Sequence, residues 1–107
     1  MSEIGGVKFS KQKPEEGFLF PRTTFVDLVN LKAQVEKAES EIFEVHQLLG
    51  KKNINLNQVA EELEDAMQAL ETLRRILLEK FNVNVYLARV QVIRKNKRKH
   101  YYDGKGA

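Results

Sequence analysis

LVNLKAQVEKAESEIFEVHQLLG, residues 28–50, places Leu28, Leu31, Val35, Ala38, Ile42, Val45 and Leu49 at alternating steps of three and four. Such steps keep all of these side chains on one stripe of an α-helix, in the a and d positions of a heptad. A second stretch, VAEELEDAMQALETLRRIL at residues 59–77, repeats the pattern with Val59, Leu63, Ala66, Leu70, Leu73 and Leu77. Residues 50–57 break the period. Two stripes in tandem predict two helices, about 24–49 and 57–81, folded back on each other as an antiparallel two-helix coiled-coil hairpin. A charge at Ile42, midway along the first stripe, is then expected to melt the pair.

The ends of both helices are marked. Thr24 with Asp27 three residues on resembles a capping box at the positive end of the helix dipole. Gly50 is placed to stop the first helix in a left-handed conformation. Asn55 or Asn57 caps the second, and Glu61, Glu62, Glu64 and Asp65 follow near its start. The flanks of the stripes differ. Beside the first lie Lys32, Glu39, His46, Asp27, Gln34 and Glu41; beside the second lie Ala60, Met67, Ala69, Ile76 and Phe81. A two-stranded seam covers only a and d, so the wider second stripe calls for a further partner, read here as another copy of the chain.

The two ends of the chain read differently from the middle. Residues 1–22 hold two apolar clusters, Val7–Phe9 and Phe18–Phe20, with glycines and prolines and no helical period, and are predicted to form an extended arm. Its Phe18 and Phe20 are read as lying on the helical body or on a neighbouring subunit, and with Met67, Ile76 and Phe81 they are the residues expected at an oligomer or partner interface. Residues 82–107 begin with VNVYLARVQVIR, dense in β-branched side chains that favour strands. Lys95–Lys97 reads as a turn and His100–Tyr102 as a return strand, giving a short C-terminal β-segment. The fold class is therefore mainly α, with an extended N-terminal arm, a short C-terminal β-segment for which a hairpin is one form, and an oligomeric state; the alternative continues the second helix through residue 94.

Charge follows the same division. Residues 1–22 carry four Lys/Arg against three Glu (+1), residues 23–81 seven against eleven acids (−4), and residues 82–107 seven against one (+6), which returns the net +3. There is no cysteine, hence no disulfide framework or thiol chemistry. No run approaches the ~18 apolar residues of a membrane span, and the first twenty residues lack the apolar core of a signal peptide. The expected location is the cytoplasm, or a particle assembled there.

Catalytic and metal chemistry find little support in these residues. The helical acids lie off both stripes, and Phe43 stands three residues before His46 where a di-metal bundle needs Glu. Ser2, Ser10 and Ser40 have no His and Asp in a recognisable arrangement. Gly104-Lys105 lacks the further glycines and helix of a phosphate loop. The reading has no enzyme activity, no cofactor, no metal and no small-molecule substrate. What remains is a basic cluster, Arg89, Arg94, Lys95, Lys97, Arg98 and Lys99, with Tyr86, Tyr101 and Tyr102 around it. Cations attract phosphates and aromatics stack on unpaired bases. An acidic protein surface or plain solvation fits the same residues.

A cysteine-free helical hairpin with extended arms resembles, in style, the accessory proteins of virions and phages. The function expected is a non-enzymatic assembly role in which the hairpin mediates oligomerisation or docking and the end segments reach neighbours. The alternative is sequence-nonspecific nucleic-acid binding through the basic C-terminal segment, with Arg89, Arg94, Lys95, Lys97, Arg98, Lys99 and Tyr101 as contacts.

Overall fold

A computed structural model describes residues 16–105; expectations for residues 1–15 lie outside the described residues. The chain is mainly α, with helices α1 (Phe25–Leu28), α2 (Leu31–Leu49), α3 (Leu56–Phe81) and α4 (Val85–Arg98), and no strand among the described residues. The first predicted helix is thus split. Thr24 makes no side-chain cap; instead Val29 is extended and Asn30 caps α2, its Oδ1 accepting from Ala33 N at 2.8 Å. Asn55 caps α3 in the same way through Gln58 N. Gly50 stays right-handed at φ −83°, against expectation, because its N–H already returns to the Gln47 and Leu48 carbonyls.

α2 and α3 lie side by side and run in opposite directions. Gln34 Nε2 donates to Ala69 O at 2.9 Å near one end. The carboxylates of Glu41, Glu62 and Asp65 come within 4.8 Å of one another midway. Leu48 and Gln58 share a recess near the connecting turn.

The buried stripe is the predicted ladder turned by one row. On α2, Leu31, Ala38 and Val45 face inward with Gln34, Glu41 and Leu48; on α3, Val59, Ala66 and Leu73 do so with Glu62, Ala69 and Ile76. Val35, Ile42, Leu49, Leu63 and Leu70 are left exposed. Small side chains explain the turn: Ala38, Ala66 and Ala69 let the backbones approach closely, and the Gln34 amide fixes the rotation through its bond to Ala69. A charge at Ile42 would therefore meet water, and the sensitive positions are Ala38 and Ala66, each 3% exposed.

The core sits at the C-terminal half of α3. Residues 17–23 wrap its outer side, α1 follows, and α4 closes the end. Phe18, Val26, Ile76 and Val85 are buried there with Thr72 and Arg75. Thr23 Oγ1 and Thr72 Oγ1 share a hydrogen bond of 3.0 Å. The wide flank of α3 is thus covered in part by the chain's own arm.

The β-segment is corrected to a helix. Asn82 adopts the left-handed conformation (φ 55°, ψ 35°) and ends α3, and Val83 N returns to Leu77 O at 3.0 Å. Asn84 Oδ1 then accepts from Leu87 N at 2.9 Å and starts α4. A lone strand would leave its amides and carbonyls unpaired, whereas a helix satisfies them internally. That outweighs the few tenths of a kcal/mol by which each Val or Ile disfavours helix. The predicted return strand is a turn, with His100 at φ 62° and its N–H on Lys97 O.

Candidate docking surfaces

Three surfaces stand out: a clasp that holds the arm, an apolar face on the α2–α3 pair, and the basic end of α4.

The clasp is built on Glu71, Arg74 and Arg75. Glu71, one of the helical acids off both predicted stripes, is buried and accepts the backbone N–H groups of Leu19 and Phe20, each at 2.7 Å. Arg74 Nη1 donates to Gly17 O at 2.8 Å, and Arg75 Nη2 to Phe20 O at 3.0 Å. The Phe18 ring lies under both guanidinium groups, 4.0 Å from Arg75 and 4.8 Å from Arg74, and meets Tyr86 edge-on at 6.2 Å. Gly17 sits at φ +84° with the Tyr86 ring against its α-carbon; a Cβ there would lie 2.5 Å from the ring. Burial, with the Arg89 charge nearby, pushes the Arg74 guanidinium down from its ordinary value. Phe18 and Ile76, expected at an interface, are therefore buried within the chain. Phe20 and Met67 are half-buried and Phe81 is exposed.

A second polar cluster braces the arm. Arg22 binds Glu79 through Nε and Nη2 and Asp27 through both terminal nitrogens, at 2.8–3.2 Å, and Lys80 Nζ reaches Asp27 Oδ1 at 3.0 Å. The Arg22 bonds, with Lys80 second, hold the Asp27 carboxyl well below the usual carboxylate range. The same guanidinium lowers Glu79.

The apolar face follows from the turned stripe. On each helix the exposed row lies beside the shared buried row, displaced by one position in the same rotational sense. Right-handed helices running in opposite directions turn such rows to the same side of the pair. Val35, Ile42 and Leu49 on α2 therefore lie next to Leu70, Leu63 and Leu56 on α3, with exposures from 40% to 72%. Leu19 and Met67 border this face in a recess completed by Leu70, Glu71, Arg74 and Arg89. The opposite side is polar, lined by Gln34, Lys37, Glu41, Asp65 and Gln68. There, partial desolvation, reinforced by Glu44, Asp65 and Glu41, pushes the Glu62 carboxyl up.

The basic end of α4 keeps the predicted cluster on one element. Arg94, Lys95, Lys97, Arg98 and Lys99 are all exposed, and Lys99 Nζ stands 5.8 Å from the Tyr101 ring centre. Arg89 alone is drawn away, into the recess beside Arg74. Sequence reasoning missed the polar half of the clasp because Glu71 and Arg75 fit a surface i,i+4 pair; the apolar Phe18-Leu19-Phe20 signalled that the arm packs on the helical body or a neighbour, but not against which residues.

No helix is long and apolar enough to cross a membrane among the described residues. No family model matches the chain, and no curated protein and no solved structure is detectably similar to it.

Proposed function

We propose that this chain is a non-enzymatic assembly component whose helical hairpin docks other helices through its apolar face. The observation that carries the reading is the heptad-spaced pair of rows left in water on the α2–α3 pair. Transferring each such half-exposed leucine or isoleucine out of water is favourable by on the order of 1 kcal/mol. Contiguous exposed apolar surface of this kind marks interaction sites in soluble proteins.

The test is the native mass of the complex that holds this chain in extracts of the cells that make it, measured with and without nuclease. A nuclease-resistant complex well above 12.4 kDa is the expected result. A free 12.4 kDa chain would rule the assembly reading out.

A second reading rests on α4. Four exposed cations within its last two turns, with Lys99 at its C-cap, suit a polyanion, either nucleic acid or an acidic protein surface. Five to six phosphate contacts predict roughly a thousandfold loss of affinity between 50 and 200 mM salt. Replacing Lys95, Lys97, Arg98 and Lys99 with Gln together should abolish binding to a generic duplex and single strand. Unchanged binding would refute it.

A further inference from the structure

We infer that the occupant of the apolar face is a second copy of this chain, stacked face to face and antiparallel, so that two hairpins complete a four-helix bundle. The inference rests on the assembly reading above and names its partner.

Register is the first argument. Each step of seven up α2, from Val35 to Ile42 to Leu49, is matched by a step of seven down α3, from Leu70 to Leu63 to Leu56. The Gln34–Ala69 bond sets the two helices level, so the six side chains form three layers of two. In a helix bundle each layer takes one residue from every helix, and a/d wedges point at a common axis. Here half of each wedge, Ala38 and Ala66 among it, is spent between α2 and α3. The other half points outward, as it must in two helices of a four-helix core. A second copy brings layers of the same spacing by construction.

Size is the second. The two heptad steps from Val35 to Leu49 span ~21 Å of helix and two helices are ~20 Å wide. The resulting footprint of ~400 Å² is about half the ~800 Å² per partner of an ordinary stable interface, which makes the dimer one of modest affinity. Leu77, the next residue of the row, is half-covered and lines a further apolar recess with Val83, Val85, Ala88, Val92 and Ile93 at the base.

Charge decides the orientation. Residues 39–65, the tip of the hairpin, carry seven acids and two lysines, net −5; residues 66–99, the base with α4, carry nine Lys/Arg and two glutamates, net +7. A parallel stack sets like on like. An antiparallel stack brings each acidic tip within about a Debye length of the partner's Arg74 and Arg89, although most of the tip's acids stand on its polar side. It also fits the shape, since a thin two-helix tip lies against the step made by Leu19 and α4.

Sedimentation equilibrium of the purified full chain from 1 to 100 µM tests the partner. A mass twice 12.4 kDa, with a melting temperature that rises with concentration, is expected. A monomer at 100 µM overturns the second copy, while the native complex mass still judges the assembly reading separately. Ile42→Asp and Leu63→Glu, one on each helix, should each weaken dimerisation at least a hundredfold; a dimer indifferent to both charges overturns the face. The chain has no cysteine, so Asn53→Cys gives one spin label per tip. Labels ~40 Å apart fit the antiparallel stack by helix rise; labels closer than ~20 Å overturn it.

Discussion

At the residue scale the decisive group is Glu71. Its carboxylate takes the place of a neighbouring strand, accepting two consecutive main-chain amides out of water. Hydrogen bonds to a charged group contribute about 1.5–3 kcal/mol each. Glu71→Ala, which also leaves both amides unpaired, should cost about 2–4 kcal/mol in urea unfolding and expose the arm to proteolysis near residue 19. Acid sensitivity belongs to Asp27 and Glu79. Both titrate lower folded than unfolded, so their contribution is present above the ordinary carboxylate value of about 4 and lost as pH falls through their folded values. Arg22→Gln should flatten the fall in melting temperature between pH 5 and 3. Glu62 has the opposite sign: raised when folded, it favours the fold when protonated and opposes it once ionised. Glu62→Gln should therefore raise the melting temperature at pH 7 and lose that advantage on acidification. The roles of Glu71, Glu79 and Glu62 were not legible in the chain, because each depends on a partner more than 50 residues away or across the helix pair; Asp27 has its main partner, Arg22, only five residues away.

At the element scale the heptads were legible and their rotation was not. Steps of three and four locate a helix and its apolar side, but a wedge of three rows offers two possible seams. The choice between them fell to Ala38, Ala66, Ala69 and the Gln34 amide. Enlarging a buried alanine tests that choice: Ala66→Leu should destabilise the fold by roughly 1–3 kcal/mol through overpacking, whereas Ile42→Ala should change the unfolding of the single chain far less. For α4 the β-branched count hid a sufficient signal. Leu87, Ala88, Arg89, Gln91, Arg94, Lys95, Lys97 and Arg98 are good helix formers, and the Asn82–Asn84 break supplies a stop and a new cap. Val90→Pro should remove the ellipticity of about one α4 helix and leave the base of the molecule folded, since Val85 is the only buried residue of α4.

At the scale of the whole molecule the two ends of the hairpin differ. The base buries Phe18, Val26, Ile76 and Val85 under arm, α1 and α4 while Val83, Val92 and Ile93 stay exposed; the tip is a pair of helices with one apolar side and one acidic side. Composition announced that split through the reversal of charge along the chain, although it misplaced the apolar surplus, assigning it to Phe18 and Ile76 instead of to the ladder itself. Raising salt from 50 to 500 mM should loosen an antiparallel dimer held by opposed charges, and it should tighten a parallel one by screening repulsion. The slope of the dimerisation constant against salt reads which applies.

The grip of Glu71 on the arm has a consequence for sequence drift. It engages N–H groups and ignores what hangs from the α-carbons of Leu19 and Phe20. Side chains at both positions can change with little effect on the latch, while an imino acid cannot, because it has no hydrogen to give. Phe20→Leu should leave the arm seated and Phe20→Pro should free it, a difference that hydrogen exchange of the Leu19 amide would report directly.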